Sequence, residues 1–262
     1  MLAAGAATAA VGEGVAGAYR FTLERIEATL PGLRSPVRVA WLVDLHFGPF
    51  IREGSVAAWV DATLAEAPDL ILLGGDLVDY RAPDDVSPLL RQLARLRAPL
   101  GVYAVWGNHE FARYPDPRDL ERFRLALADA GVTLLLNRGV DLSEDLHLVG
   151  LDADRVGPRR LESALAARPA GSACVLATHK PDMLPRIPPE VDLTLLGHTH
   201  GGQVILPGIG PLFLRTDLGR VGMAGWVRAP ALGYVSRGLG VVHVPLRIAC
   251  PAELTLATLL PA

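Results

Sequence analysis

Residues 37–46 read Val-Arg-Val-Ala-Trp-Leu-Val-Asp-Leu-His, an apolar run that ends in two polar side chains, Asp44 and His46. The run is short and partly β-branched, as strands buried inside a sheet are. Four more apolar runs share this form, at residues 70–73, 102–105, 174–177 and 193–196. Each run is followed by Asp, Asn or His. The sequence therefore predicts buried strands that deliver polar side chains to one site at their carboxyl ends.

Helix patterns separate the first three runs. Apolar residues recur at intervals of three and four within 56–67 and 86–96, the spacing of one helix face. A third pattern, at 120–130, follows Asp116-Pro117, a common helix start. Asp44 and Asp76 lie 32 residues apart, as do Asp76 and Asn108, about the length of a β-α-β unit of ~30 residues. The alternation predicts an α/β fold.

The polar residues behind the apolar runs are suited to binding metal ions. They form five segments: Asp44-Leu45-His46, Gly75-Asp76, Gly107-Asn108-His109-Glu110, His179 and Gly197-His198-Thr199-His200. Side chains two apart in an extended chain share a face, so Asp44 and His46 are expected to point into one cavity, as are His198 and His200. Mixed carboxylate and imidazole ligands favour Mn, Fe, Zn or Co over Ca. A purely structural cluster is disfavoured, because unpaired buried charges cost several kcal/mol.

The ordered pattern D-x-H, G-D-x-x-D, G-N-H-[DE], H and G-H-x-H, from Asp44 to His200, resembles that of the calcineurin-like metallophosphoesterase superfamily. The resemblance covers residues 36–260 and implies a four-layer α/β/β/α sandwich of two mixed β-sheets flanked by helices. Segments 197–203, 236–240 and 250–253 are similar to a bacterial branch of exported or membrane-associated phosphodiesterases, with UDP-2,3-diacylglucosamine pyrophosphatase-type relatives. Residues 203–259, rich in Gly and Pro, are expected to add short strands to the second sheet.

The resemblance also implies roles for individual residues and a cofactor of two divalent metal ions. The first ion would be held by Asp44, His46, Asp76 and His200, and the second by Asp76, Asn108, His179 and His198. A hydroxide bridging the two ions would attack the phosphorus in line. His109 would not be a ligand but would assist the leaving group, with Asp79 orienting it through a hydrogen bond. Glu110 is expected to support the site without acting in catalysis.

The implied function is two-metal hydrolysis of a phosphate ester, with a phosphodiester favoured. One alternative is a pyrophosphatase of UDP-linked lipid or sugar precursors at the membrane, which would need an apolar groove within residues 207–226. Another is a non-enzymatic metal- or envelope-binding module, although every expected ligand is present. Three arginines after the last ligands could meet substrate phosphate, but any surface cation gives that signal: Arg215, Arg220 and Arg237. His147 and His243 match no motif and are expected to be structural or surface residues.

Composition and charge limit the number of domains and the kinds of partner that we expect. The 262 residues, 50% hydrophobic, suit one metallophosphoesterase domain at 36–262, preceded at 1–35 by an apolar tail and a leading strand. A net charge of −3 argues against general nucleic-acid binding. The expected partner is a small-molecule or lipid-linked phosphate ester bound by a monomer, and membrane-surface association stays open.

The first residues bear on location. Residues 2–18 are mostly small and apolar, and Ala16-Gly17-Ala18 resembles a signal cleavage site. A twin-arginine signal often precedes such a stretch in relatives of this branch, so the resemblance implies the remnant of an export signal, and the alternative is a frayed tail. The two expected locations are association with the cytoplasmic membrane and export. Cys174 and Cys250 form no metal motif, and a disulfide between them is left open.

Overall fold

The computed structural model of the chain describes residues 13–152 and 158–262. Its strands are β1 (Phe21–Leu30), β2 (Val37–Leu42), β3 (Leu70–Leu73), β4 (Val102–Ala104), β5 (Thr133–Leu134), β6 (Arg138–Asp141), β7 (Leu146–Leu151), β8 (Ala173–Thr178), β9 (Leu193–Leu196), β10 (Ile205–Leu206), β11 (Gly210–Pro211), β12 (Gly225–Arg228), β13 (Leu232–Val235) and β14 (Ala252–Pro261). Its α-helices are α1 (Glu53–Ala65), α2 (Ser87–Leu93), α3 (Asn108–Arg113), α4 (Pro117–Asp129) and α5 (Pro158–Leu165), with 3-10 turns at Pro181–Arg186, His200–Gly202 and Gly219–Gly222.

The strands form two six-stranded sheets and one small hairpin. The first sheet has the order β1-β14-β2-β3-β4-β5 and the second β12-β13-β9-β8-β7-β6, while β10 pairs with β11. Strands β2 to β5 are parallel, whereas β14 runs antiparallel to β2. In the second sheet, β7, β8 and β9 are parallel and the outer strands β6 and β12 are antiparallel to their neighbours. Both sheets are therefore mixed, as the resemblance implies.

Alternating side chains divide the core into layers. One face of the first sheet meets the second sheet, through residues such as Trp41, Leu72, Leu148, Val175 and Leu195. The other face packs on helices α1, α2 and α4, through Leu42, Leu73, Trp59, Leu89 and Phe123. The far side of the second sheet is covered in turn, through Val149, Leu176, Leu161 and Leu184. Burial of both faces of each sheet confirms the predicted four-layer α/β/β/α fold.

The predicted elements are present. The five apolar runs, the first of which ends at Val43 before the polar residues, correspond to β2, β3, β4, β8 and β9, with bounds that differ by at most one residue. The three helix patterns correspond to α1, α2 and α4. Asp116 caps α4, since its carboxylate accepts a hydrogen bond of 2.8 Å from the backbone N–H of Arg118. Residues 21–30 form the leading strand β1, which pairs along its whole length with β14.

The expectation that residues 203–259 belong to the second sheet is wrong in part. Strands β12 and β13 do join that sheet, but β14 lies in the first sheet between β1 and β2. Leu254 and Leu256 face the helix-side core, and Ala257 and Leu259 face the other sheet. Because the segment as a whole is rich in glycine and proline, the sequence did not reveal β14 as a strand that is buried on both faces.

Three further expectations concern the ends and the cysteines. The part of the apolar tail at residues 1–12 lies outside the described residues. Cys174 and Cys250 are both buried free thiols, so the disulfide left open above is not formed. Among the described residues, no helix has the length and apolar character needed to cross a bilayer.

Candidate metal centre

The two sheets deliver the predicted site residues from the carboxyl ends of their parallel strands. In the first sheet, Asp44 and His46 follow β2, Asp76 follows β3, and Asn108 begins α3 after β4. In the second sheet, His179 follows β8, and His198 and His200 follow β9. The parallel direction places these ends at one edge of the sandwich, where open α/β sheets bind ligands.

The backbone at five of these residues is left-handed, although we expected an extended conformation at four of them, Asp44, His46, His198 and His200. The φ angles are 56° at Asp44, 50° at His46, 50° at Asp76, 72° at His198 and 52° at His200, all in the left-handed region. Such angles are uncommon for residues other than glycine and are typical of functional sites. The D-x-H and H-x-H pairs thus face one cavity because of left-handed turns, and the pleat of a strand is not the cause.

The first group of side chains consists of Asp44, His46 and His200. The Nε2 atoms of His46 and His200 are 2.9 Å apart, and they lie 4.0 and 3.7 Å from Oδ1 of Asp44. All three residues are buried. Their ligand atoms surround one point, as the donors of a bound ion do.

The second group consists of Asp76, His179 and His198. Nε2 of His179 lies 3.2 Å from Oδ2 of Asp76 and 3.2 Å from Nδ1 of His198. The same Oδ2 atom lies 3.6 Å from Nε2 of His46 in the first group. One carboxylate oxygen therefore faces both groups, which is the position that a bridging ligand needs.

Unpaired polar atoms show that the residues fit divalent ions. In the described part of the chain, Oδ1 of Asp44, Nδ1 of His46 and Oδ1 of Asn108 are buried without a hydrogen-bond partner. Leaving such atoms unpaired costs about 1–3 kcal/mol each, more where the group is charged. The two oxygens are good ligands for a divalent cation, which would remove this cost.

Hydrogen bonds outside the ligand atoms orient the cluster. Nδ1 of His179 donates to the carbonyl of Gly74 at 2.9 Å, so in the neutral ring, the form that would bind an ion, the free electron pair lies on Nε2. The backbone N–H of His198 donates to Oδ2 of Asp44 at 2.9 Å, so Oδ1 remains available. Both bonds select the atoms that point into the cavity.

Glu110 holds the segment that carries Asp76, as expected of a supporting residue. Its buried carboxylate accepts backbone hydrogen bonds from Gly107 at 2.8 Å, Asp76 at 3.0 Å and Leu77 at 2.6 Å. A side chain at position 107 would place its Cβ only 2.1 Å from Oδ1 of Asp76. Glycine is required there because the backbone packs directly on that carboxylate.

Burial sets the protonation of the histidines. It lowers the pKa of His46 and of His200 well below the ordinary value, and burial with the charge of His179 lowers the pKa of His198 to about 3. These three imidazoles are neutral at pH 7, the form that binds metal ions. Burial opposes protonation of His179 too, but the charge and hydrogen bond of Asp76 raise its pKa to about 9.

Replacing Asp44 by Asn should change how the stability of the metal-free protein depends on pH. Burial raises the pKa of Asp44 to about 7, so ionisation destabilises the fold as the pH rises from about 4 to about 7. The asparagine variant lacks this loss. Urea unfolding with a chelator at pH 5 and pH 8 should show that the variant gains stability relative to wild type at the higher pH. A difference that is the same at both pH values would contradict the assignment.

His109 is oriented by a different group from the one predicted. Its Nδ1 accepts a hydrogen bond of 3.2 Å from the backbone N–H of Tyr80, while Asp79 accepts from the backbone N–H and the Nε of Arg81 at 2.8 and 3.0 Å. Asp79 does lie beside His46 and His109, with ligand atoms within 4.8 Å of one another, but the hydrogen bond to Nδ1 of His109 comes from the main chain of Tyr80. In neutral His109 the proton must sit on Nε2, which lies 3.9 Å from Oδ2 of Asp76.

Two of the histidines and arginines that matched no motif, His147 and Arg237, have contacts away from the metal residues. His147 is buried and contacts Asp141 at 2.6 Å, which confirms the structural role expected for it. Arg237 pairs with Glu24 and Glu253, each at 3.2 Å, which also indicates a structural role.

His243 and Arg215 lie beside the centre. The sequence raised Arg215 as a candidate phosphate contact, but it gave no such signal for His243. The guanidinium of Arg215 donates to Nε2 of His243. Gln203 directly follows the 3-10 turn that begins at His200, and its side chain bonds Val242 next to His243, which brings the pair to the edge of the centre. Neither residue belongs to a motif, and the fold alone brings them here.

Part of the predicted apolar segment 207–226 is exposed. Ile209, Leu212, Phe213 and Leu214 have exposed fractions of 68%, 51%, 38% and 52%, and we call these four residues the apolar ledge. The ring centroids of Phe213 and His243 are 6.5 Å apart, so the ledge adjoins the rim of the centre. Grouped exposed apolar side chains are typical of binding surfaces.

Comparison with known proteins adds three findings. The profile of the family described as Calcineurin-like phosphoesterase matches residues 37–202. The uncharacterized metallophosphoesterase YkuE of Bacillus subtilis is 30% identical over 98% of this chain and 93% of its own length, and phosphodiesterase YaeI of Escherichia coli is 30% identical over 86% and 83%. The solved structure of sulfate thiohydrolase SoxB from Thermus thermophilus superposes with a TM-score of 0.49 and 15% identity, and the match covers 87% of this chain and 57% of that one.

Proposed function

The chain belongs to the calcineurin-like phosphoesterase family and is a metal-dependent phosphoesterase, and we propose that it is a phosphodiesterase that uses two divalent ions. The observation that carries the proposal is the position of Oδ2 of Asp76, 3.6 Å from Nε2 of His46 and 3.2 Å from Nε2 of His179. A carboxylate between two groups of donors suits two ions that share one ligand.

Ions bound in the two groups would supply Lewis-acid charge and an activated water for in-line displacement at phosphorus. The chain itself supplies the orientation. The carbonyl of Gly74 fixes His179, and the backbone N–H of His198 fixes Asp44. The ligands Asn108, His198 and His200 then complete the sets that the motif pattern implies.

His109 completes the proposed mechanism as a hydrogen-bond donor. Because the N–H of Tyr80 occupies Nδ1, a proton on Nδ1 would face another donor. Burial also lowers the pKa of His109. The neutral ring with a proton on Nε2 is therefore favoured, and that N–H stabilises charge developing on the leaving oxygen.

Two observations bear on the substrate. The similarity to a protein named phosphodiesterase supports a diester. The apolar ledge supports a second candidate, hydrolysis of a lipid-linked phosphate ester or pyrophosphate at a membrane surface, because apolar side chains beside the centre could contact an acyl chain.

The experiment that tests the proposal is hydrolysis by metal-stripped protein after Mn²⁺, Fe²⁺, Zn²⁺ or Co²⁺ is restored. Cleavage of bis-p-nitrophenyl phosphate, with two ions per chain by elemental analysis, is the expected result. Full activity with one ion would overturn the two-metal assignment, and cleavage of p-nitrophenyl phosphate alone would make the protein a phosphomonoesterase. A p-nitrophenyl ester of phosphatidic acid, cleaved faster than the soluble diester, would favour the lipid candidate.

A further inference from the structure

The loop that carries His243 is held by the buried side chain of Gln203. The amide nitrogen of Gln203 donates to the carbonyls of Val242 and Val244, each at 3.1 Å, and its oxygen accepts from the N–H of Val242 at 2.9 Å. Gln203 is 2% exposed. The Gln203 side chain thus forms hydrogen bonds with the residues on both sides of His243.

His243 has an unusual backbone conformation. The φ angle of His243 is 64°, and its side chain is exposed. A left-handed histidine costs free energy and persists where the surroundings hold it. The three bonds from Gln203 supply that restraint. The loop is therefore built to present the imidazole of His243 at a fixed place.

Arg215 completes the arrangement. A guanidinium has only donors, so Nε2 of His243 accepts from Arg215 and the proton of the neutral imidazole lies on Nδ1. That Nδ1–H points away from Arg215, so the donors of the pair that can meet a phosphate are the remaining N–H groups of the Arg215 fork, which its bond to His243 orients. Its donors are thus of the kind that bind an anion.

The pair also lies next to the metal residues. Gln203, whose side chain holds the loop of His243, follows His200 by three residues in the chain. Five of the seven metal residues are buried, whereas His243 is exposed and Arg215 is half-buried. An anion bound by the pair would consequently lie at the rim, outside the position of the reacting phosphorus.

We propose that Arg215 and His243 form a subsite for a second phosphate group, carried on an ester substituent of the substrate. This inference rests on the proposed phosphodiesterase function and adds a substrate class to it. Such substrates are diesters in which one substituent bears a phosphate monoester. Nothing in the reaction changes, because the second phosphate is bound and does not react.

The test compares two soluble substrates with the holoenzyme, the p-nitrophenyl phosphodiester of glycerol and the same diester of glycerol 3-phosphate. Wild type is expected to prefer the phosphorylated substrate by about 10- to 100-fold in kcat/KM, the range for one or two hydrogen bonds between charged groups. The preference should appear mainly in KM, since the contacted group does not react.

Variants test whether Arg215 and His243 cause the preference for the phosphorylated substrate. Arg215→Ala and His243→Asn should bring the ratio close to one, and Arg215→Lys should retain part of it because it keeps the charge but loses the fork. Asparagine is chosen at 243 because it tolerates a positive φ. Arg220→Ala is the matched control, an exposed arginine of the same segment, and should keep the wild-type ratio.

The outcomes distinguish a failure of the proposed subsite from a failure of the proposed phosphodiesterase function. Equal kcat/KM values for both substrates in wild type would overturn the subsite and leave the phosphodiesterase intact. An equal loss of preference in Arg220→Ala would also overturn it, since diffuse surface charge would then explain the result. No metal-dependent cleavage of either diester would remove the phosphodiesterase proposal and the subsite with it.

Discussion

Replacement of Asp76 by asparagine is expected to remove at least one bound ion and to lower phosphodiester hydrolysis by about 10³-fold or more. Oδ2 of Asp76 faces His46 and His179 at 3.6 and 3.2 Å, so one substitution affects both groups. The amide is neutral and presents a donor or a weak acceptor where a carboxylate is needed. Lewis-acid stabilisation is worth several kcal/mol, and about 1.4 kcal/mol corresponds to tenfold in rate.

Elemental analysis and the rate of bis-p-nitrophenyl phosphate cleavage would measure the effect. Asp192→Asn is a matched control, because Asp192 also accepts a backbone hydrogen bond, from Cys174 at 2.7 Å, but lies at the amino end of β9. It should keep both ions. If Asp76→Asn bound two ions with unchanged affinity, the bridging position would be wrong.

The strands and the grouped side chains could be predicted because each depends on local sequence. Buried parallel strands leave apolar runs, and residues that follow such strands meet at one edge. The structure brings Asp44, His46 and His200 together, and likewise Asp76, His179 and His198. Their conformation was not predictable in this way, since the left-handed φ angles follow from how loops of two sheets meet.

The remaining features depend on contacts between distant segments. Strand β14 joins the first sheet through pairing with β1 and β2, more than 200 residues away in sequence. The partner of His109 is a backbone N–H, which no side-chain pattern reveals. Arg215 and His243 come from separate loops without a motif, and they meet because Gln203 holds one of those loops.

Replacement of His109 by alanine is expected to keep both ions and to lower kcat by about 10²- to 10³-fold, the usual cost of losing one donor aimed at developing charge. The N–H of Tyr80 fixes Nδ1 of His109, so Nε2–H is the donor that the variant loses. Elemental analysis with single-turnover rates would separate ion loss from the chemical step. An empty centre in this variant would show that His109 is a ligand.

The leaving group decides which role His109 has. If Nε2–H stabilises the leaving oxygen, the loss in His109→Ala should be larger for a diester that releases phenol than for one that releases p-nitrophenol, because the better leaving group carries its charge with less help. An equal loss for both would place His109 away from the leaving oxygen. Tyr80→Phe should stay near the wild-type rate, since the bond to Nδ1 comes from the main chain of Tyr80 and its hydroxyl takes no part.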